Sequence, residues 1–134
     1  MAANSLVGKK VLLVDDDTDI LTAMSVAFNE TGAEVMTATD GNKAVEVATQ
    51  TPPDLVVLDM MLPKRSGFLV LEKIKPHRKA GSKPLVIMIT GNPGKRHQAY
   101  AETLGVERYM NKPIRMERLV KEAEVLLLGA PQEP

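Results

Sequence analysis

The sequence predicts an α/β fold built around a parallel sheet of five strands. Short apolar runs rich in valine, leucine, isoleucine and methionine alternate with longer segments whose apolar residues recur at helical spacing. Several of these runs are apolar without interruption, which is typical of strands that are covered on both faces of a parallel sheet. We therefore expect a (βα)5 arrangement in a single domain of this 134-residue chain.

Strands and helices are expected in strict alternation. Strands are predicted at residues 11–14, 34–38, 55–58, 85–89 and 107–110. The first helix has Asp17 as its candidate N-cap and stops at Gly32, and Pro52-Pro53 ends the second. The second helix is predicted at 41–50, the third at 67–75 and the fourth at 93–104, and the fifth ends near Leu128. We expect the domain to span residues 8–128, with 1–7 and 129–134 as short tails and no output domain.

The composition argues against several classes of function. Seventeen Lys and Arg balance 17 Asp and Glu, and the chain has no Trp, two Tyr and two Phe, so a basic, aromatic nucleic-acid surface is not favoured. Because there is no Cys, disulfides and thiolate metal sites are excluded. We find no signal-peptide core and no apolar run near the ~20 residues that a bilayer requires. We expect a soluble cytoplasmic protein that binds neither nucleic acid nor membrane directly.

Chemically reactive residues follow the predicted strands. They are Asp15, Asp16 and Asp17 after the first strand, Asp59 after the third, Thr90 after the fourth and Lys112 after the fifth. Ligands of open α/β sheets bind at this carboxyl edge. Neighbouring carboxylates repel by roughly 1 to 4 kcal/mol per pair at 4 Å, so a hard cation such as Mg²⁺ is expected between them. A carboxylate nucleophile beside a Lys and a hydroxyl indicates phosphoryl transfer.

Six short motifs, in this order, resemble the receiver domain of two-component response regulators. They are Leu13-Val14-Asp15-Asp16, Leu58-Asp59, Leu62-Pro63, Ser66-Gly67, Ile89-Thr90 and Lys112-Pro113. The resemblance covers about residues 10–128 and is to single-domain, chemotaxis-regulator-like members. It implies a flavodoxin-like, doubly wound fold with strand order 2-1-3-4-5 and a cis peptide at Lys112-Pro113.

The resemblance also implies a role for each residue around the acceptor. Asp59 would accept a phosphoryl group from a histidine kinase or a histidine phosphotransfer protein. Lys112 would pair with the phosphoryl oxygens. Asp16 would contact Mg²⁺ (or Mn²⁺) directly, Asp15 through water, and Met61 through its backbone carbonyl, with Asp59 also at the metal.

Switching and output are implied by the same resemblance. Thr90 would move toward the phosphoryl group, and Tyr109 would turn inward behind it. Met61 and Asn92 flank the path of an attacking water and would tune phosphoryl loss. Output would reach an unknown downstream protein by direct contact, from a monomer or a weak homodimer formed through the last strand and its flanking helices. Apart from self-phosphorylation and self-dephosphorylation at Asp59, no enzymatic activity is expected.

Three alternative functions remain at this stage. A phosphatase of the haloacid dehalogenase type would use Asp15-x-Asp17, although Asp19 stands where its motif requires Thr or Val. A flavodoxin-like FMN binder would need hydroxyl and glycine donors after the first strand, where three Asp residues would repel a phosphate. A degenerate receiver could serve only for docking, but its acceptor, metal and Lys positions are intact.

Other charged residues are given simpler interpretations. Asp17 alone is expected to be only a helix cap. A basic cluster near the amino edge of the sheet is interpreted as solvated surface; it comprises Lys73, Lys75, Arg78, Lys79 and Lys83. His77 and His97 are placed at the surface, and neither is given a phosphoryl role.

Overall fold

The computed structural model describes residues 4–91 and 95–129. Its five strands are β1 (Lys10–Val14), β2 (Glu34–Ala38), β3 (Leu55–Asp59), β4 (Leu85–Thr90) and β5 (Arg108–Asn111). Its five helices are α1 (Thr18–Glu30), α2 (Gly41–Gln50), α3 (Gly67–Ile74), α4 (Lys95–Thr103) and α5 (Met116–Leu128). Among these described residues, no helix is both long and apolar enough to cross a membrane.

The strands form one parallel sheet in the order β2-β1-β3-β4-β5, which confirms the expected topology. β1 and β3 are central, and β3 is buried along its whole length. Apolar side chains cover both faces of the sheet, in one cluster with α1 and α5 and a second with α2, α3 and α4. All five carboxyl ends therefore meet at one edge, where reactive side chains are brought together.

Helix boundaries follow from local capping. The carboxylate of Asp17 accepts hydrogen bonds from the N–H groups of Asp19 and Ile20, which confirms its assignment as the cap of α1. Asp40 caps α2 and Ser66 caps α3 in the same way. β5 lies one residue later than predicted. The predicted start of the fourth helix, at residue 93, lies outside the described residues.

A short segment before β1 belongs to the packed structure. The N–H of Leu6 donates to the carbonyl of Thr31 at 2.9 Å, and the Leu6 side chain is fully buried in the α1/α5 cluster. Ser5 donates a hydrogen bond to Glu124 on α5. Packing against the sheet thus begins before residue 8, the residue at which the domain was expected to start.

The structure corrects the interpretation of Lys75 as part of a solvated cluster. Its side chain is fully buried, whereas the neighbouring Lys73, Arg78, Lys79 and Lys83 are exposed. Nζ lies 3.0 Å from Glu107 Oε2 and also donates to the carbonyls of Ser82 and Pro84. A buried ammonium is tolerated here because three acceptors satisfy its three donors.

Asp54, immediately before β3, is expected to contribute pH-dependent stability. The hydrogen bond from the Lys10 N–H at 2.8 Å lowers the pKa of the Asp54 carboxyl, and burial opposes it. With the added effect of Lys83 at 3.0 Å, the pKa lies below its ordinary value. A lowered folded-state pKa stabilises the fold above the unfolded pKa, and this stability is lost as the pH falls through the folded pKa.

The Asp54→Asn variant tests that contribution. Because Asp54 and Lys83 are partly or largely exposed, we expect a loss of less than about 1 kcal/mol in the free energy of unfolding at pH 7. The difference from wild type should shrink below about pH 4. Urea unfolding at a series of pH values measures the free energy of unfolding of both proteins. If the stability difference between wild type and Asp54→Asn grew on acidification, the predicted direction of the pH dependence would be wrong.

Candidate phosphoryl-acceptor site

Strand register brings the acidic residues together. β1 and β3 are neighbours, with Val14 beside Leu58, so the next residues, Asp15 and Asp59, emerge side by side at the carboxyl edge. Asp15 is fully buried and Asp59 is only 3% exposed, while Asp16 faces solvent. This places two desolvated carboxylates at the bottom of the site and one at its rim.

The three carboxylates form a cluster that could hold a metal ion. One oxygen from each of Asp15, Asp16 and Asp59 lies within 4.8 Å of the others. Asp15 Oδ1 accepts the N–H of Asp17 at 2.9 Å, whereas its buried Oδ2 accepts no well-aligned hydrogen bond and is paired by charge with Lys112 at 3.1 Å. An all-oxygen donor set in which three carboxylates face a single ammonium fits a hard divalent cation such as Mg²⁺.

Lys112 reaches this cluster from the loop after β5. Its Nζ lies 3.1 Å from Asp15 Oδ2 and 3.3 Å from Asp59 Oδ2. Its backbone N–H donates to the carbonyl of Thr90 at 2.7 Å, which ties the loop to the end of β4, and its peptide bond to Pro113 is cis, as the resemblance implied. The ammonium therefore bridges the two buried carboxylates.

Burial and charge shift the ionisation of these groups in definite directions. Desolvation raises the pKa of Asp59, and the charge of Asp15 raises it further, although the Met61 N–H and Lys112 act in the opposite sense. Burial by itself would lower the pKa of Lys112, but the carboxylates of Asp15 and Asp59 raise it above the ordinary value. Lys112 is thus held as a cation beside a carboxylate that is costly to ionise.

Thr90 and Tyr109 lie behind the acidic cluster. Thr90 ends β4 and is fully buried, and Tyr109 lies on the neighbouring strand β5. Burial raises the pKa of Tyr109, with partial compensation by a hydrogen bond with the Thr90 side chain. The Tyr109 hydroxyl also lies 3.8 Å from the sulfur of buried Met60. The tyrosine therefore contacts both Thr90 and the residue directly after Asp59.

The loop between β3 and α3 borders the site on the other side. The N–H of Met61 donates to Asp59 Oδ1 at 3.1 Å, and the Met61 side chain is 62% exposed. The N–H of Gly67 donates to the carbonyl of Met60 at 2.9 Å, and a Cβ on Gly67 would come within 2.8 Å of Met60 Cα. Only glycine fits this turn. Asn92, the other predicted tuning residue, lies outside the described residues.

Most of the predicted site residues lie together at the carboxyl edge of the sheet. The structure brings together Asp15, Asp16, Asp59 and Lys112, with Thr90 and Tyr109 directly behind them. Asp17, the second aspartate of the phosphatase-like Asp15-x-Asp17 pattern, instead caps α1. Sequence reasoning gave no role to Met60; its position beside the acceptor was visible, but its contact with Tyr109 depends on the pairing of β3, β4 and β5.

Comparison with known proteins identifies relatives with this architecture. The family model for the response regulator receiver domain matches residues 11–124. The alkaline phosphatase synthesis transcriptional regulatory protein PhoP of Bacillus subtilis is 34% identical over 105 residues, which are 78% of this chain and 42% of PhoP. The DNA-binding dual master transcriptional regulator RpaA of Synechocystis is 31% identical over 118 residues, which are 88% of this chain and 48% of RpaA.

A solved structure agrees with these matches. The CheY-like response regulator receiver domain protein from Methanospirillum hungatei superposes with a TM-score of 0.81 at 26% identity, covering 89% of this chain and 93% of that one. By contrast, the chain spans a little under half the length of the two curated relatives. Since the family model extends from β1 into α5, the chain belongs to the response regulator receiver domain family.

Proposed function

We propose that the chain is a phosphorylation-dependent signalling switch that accepts a phosphoryl group on Asp59. The observation that carries the proposal is the bridging of buried Asp15 and Asp59 by Lys112, at 3.1 and 3.3 Å, beside a carboxylate cluster suited to a divalent cation. A structural ion pair would need one acid for one base. Here an excess of acid faces a single lysine, which favours a site that accepts a cation and a phosphoryl group.

Transfer would occur by nucleophilic attack of the Asp59 carboxylate. One carboxylate oxygen attacks the phosphorus of a phosphohistidine, the phosphorus–nitrogen bond breaks, and the imidazole nitrogen keeps the electron pair and takes a proton. Lys112 leaves its pairing with the Asp59 carboxylate to neutralise the transferred oxygens. Asp15, Asp16, Asp59 and the Met61 carbonyl would hold the Mg²⁺ ion. When bound, it would offset the negative charge of the phosphoryl group.

Switching would use the contact between Thr90 and Tyr109. Phosphorylation adds about −1.5 to −2 charges with strong acceptor oxygens. The buried Thr90 hydroxyl is the side-chain donor that β4 carries at its carboxyl end. If Thr90 turns toward the phosphoryl group, its hydrogen bond with Tyr109 must change. The phosphoryl group then favours one arrangement of the pair because it contacts that arrangement better.

Output would pass through the surface formed by β5 and its flanking helices. A pocket of about 350 Å³ opens there between Tyr109 on β5 and the start of α5, with Arg115 and Arg118 at its wall. Tyr109 thus belongs both to the contact behind the acceptor and to this surface. The proposed upstream partner of this cytoplasmic switch is a histidine kinase or a histidine phosphotransfer protein. The downstream partner is a protein bound at the surface around this pocket.

Incubation with acetyl phosphate tests the proposal. With Mg²⁺ present, we expect an adduct that is stable in acid and labile in base, and we expect chelation by EDTA to prevent it. Failure to form any adduct with acetyl phosphate or with a phosphorylated kinase would contradict the proposal and favour a receiver used only for docking. Sustained release of phosphate from unrelated phosphate esters would instead favour a phosphatase.

A further inference from the structure

The first turn of α2 lies directly against the loop that follows the acceptor. This loop, residues 60–66, runs from β3 to α3. The N–H of Gly41, the first residue of α2, donates to the carbonyl of Pro63 at 3.2 Å. Asp40 caps the helix through the N–H of Lys43 at 2.8 Å, and the Lys64 ammonium lies 3.8 Å from the other Asp40 oxygen. One helix end therefore contacts three successive residues of the loop, Pro63 to Arg65.

Gly41 leaves no room for a side chain at this contact. A Cβ at this position would lie 2.7 Å from the carbonyl carbon of Arg65 and closer still to its oxygen. The Arg65 Cβ would also lie within 2.6 Å, but the carbonyl oxygen and carbon belong to the backbone, so rotation or truncation of the Arg65 side chain could not make room. The loop itself would have to move away from α2. Gly41 has no left-handed φ, so its glycine serves this close approach and not an unusual backbone conformation.

The same loop carries the Met61 peptide, whose N–H donates to Asp59 Oδ1 at 3.1 Å. At its far end the Gly67 N–H is held by the Met60 carbonyl at 2.9 Å. Between these anchors, the Arg65 N–H donates to Pro63 within the loop, and α2 supports its outer side. A displacement of Pro63 to Arg65 would therefore be transmitted toward Met61.

We propose that Gly41 is a positioning residue for the metal site. Because Gly41 has no side chain, α2 can pack closely against the 60–66 loop, and this packing holds the Met61 peptide in contact with Asp59. The inference rests on the proposed function, in which the Met61 carbonyl helps to hold Mg²⁺. It assigns to the start of α2, which itself offers no ligand, control over the affinity of the site for the cation.

Gly41→Ala gives opposite outcomes under this proposal and under simple helix packing. Alanine is a better helix former than glycine. If Gly41 were only a helix residue, the Gly41→Ala variant would therefore gain thermal stability and keep its affinity for Mg²⁺. If Gly41 positions the loop, affinity should fall by about 10-fold, the lower range for losing a residue that supports a metal ligand. In the metal-free protein, the backbone amide signals of Met61 to Arg65 should also shift.

Mg²⁺ binding by calorimetry and amide NMR spectra of the metal-free chain provide the measurements. Asn42→Ala changes an exposed neighbour on the same helical turn, and Lys64→Ala removes an exposed ammonium at 3.8 Å from Asp40 without removing the cap. Both variants should bind Mg²⁺ like wild type. Asp40→Ala, which loses the cap, should weaken binding less than Gly41→Ala, whereas Asp40→Asn, which can still cap, should restore it. These variants keep the test valid if Gly41→Ala does not fold.

The outcomes separate this inference from the proposed function. If wild type binds Mg²⁺ and folded Gly41→Ala binds it equally well, the positioning role is wrong and the proposed function stands. If Gly41→Ala does not fold, wild-type affinity in Asp40→Ala likewise overturns the positioning role. If wild type binds no Mg²⁺, both fail together. Weakened binding in Gly41→Ala or Asp40→Ala, with shifted loop amides and unaffected controls, supports the inference.

Discussion

Replacing Lys75 with methionine is expected to lower the free energy of unfolding by about 3 to 5 kcal/mol, the usual cost of removing one partner from a buried ion pair. Lys75 and Glu107 lie 3.0 Å apart and are almost completely buried. Glu107 also accepts the N–H groups of Gly81 and Val86, each at 2.7 Å. Without the ammonium, the Glu107 carboxylate remains buried with the N–H groups of Gly81 and Val86 but no cation. The carbonyls of Ser82 and Pro84 also lose their donor.

Chemical denaturation monitored by circular dichroism measures this loss, and Glu72→Gln is the matched control. The Glu72–Arg78 pair lies at 3.3 Å in the same region but is largely exposed, so its removal should cost less than about 1 kcal/mol. The double variant Lys75→Met/Glu107→Leu should be more stable than the sum of its single variants implies, because no unpaired charge remains. Equal effects at Lys75 and Glu72 would show that the buried pair is unimportant.

Asp59→Asn is expected to abolish phosphoryl acceptance and, in the absence of metal, to stabilise the fold. Asparagine can still accept the N–H of Met61, but its amide cannot form the acyl phosphate. Desolvation and Asp15 raise the pKa of the Asp59 carboxyl. A raised pKa means that ionised Asp59 weakens the fold at neutral pH, by on the order of 1 kcal/mol per pKa unit, and that this cost disappears as the pH falls through the raised value.

Thermal unfolding of wild type and Asp59→Asn at pH 7 and at acidic pH provides the test. Metal-free Asp59→Asn should unfold at a higher temperature at pH 7, and the gap should narrow on acidification. Mg²⁺ should stabilise wild type more than Asp59→Asn, because one proposed ligand is missing. Retention of the base-labile adduct by Asp59→Asn would place the acceptor elsewhere, and a less stable metal-free Asp59→Asn would contradict the electrostatic part of the prediction.

The sheet and the position of the site could be predicted from the sequence because both depend on local pattern. Apolar runs locate strands, and the carboxyl edge of a parallel sheet collects whatever follows them, so Asp15, Asp59 and Thr90 needed no tertiary information. The ends of the elements were less accurate. β5 begins one residue later than predicted, at Arg108. Glu107, taken as its first residue, instead uses its carboxylate to bind Lys75, Gly81 and Val86.

Two features depend on contacts between distant residues and could not be predicted. Lys75 looks like its exposed neighbours in sequence, and its burial depends on an acid 32 residues further along the chain. Gly41 looks like an ordinary glycine beside a helix cap, and its importance arises only where α2 meets the loop after β3. The sequence shows where lysines and glycines occur, whereas contacts between distant segments determine which lysine is buried and which glycine allows a close approach.

Covalent transfer onto Asp59 is tested most directly by locating the phosphoryl group in wild-type protein. After treatment with acetyl phosphate and Mg²⁺, borohydride reduction should convert an aspartyl phosphate to homoserine, which peptide mass spectrometry can place in the chain. We expect homoserine at position 59 and nowhere else, and none when Mg²⁺ is removed by EDTA. Phosphate on His77 or His97, homoserine at another aspartate, or unmodified Asp59 in fully treated protein would contradict the proposed function.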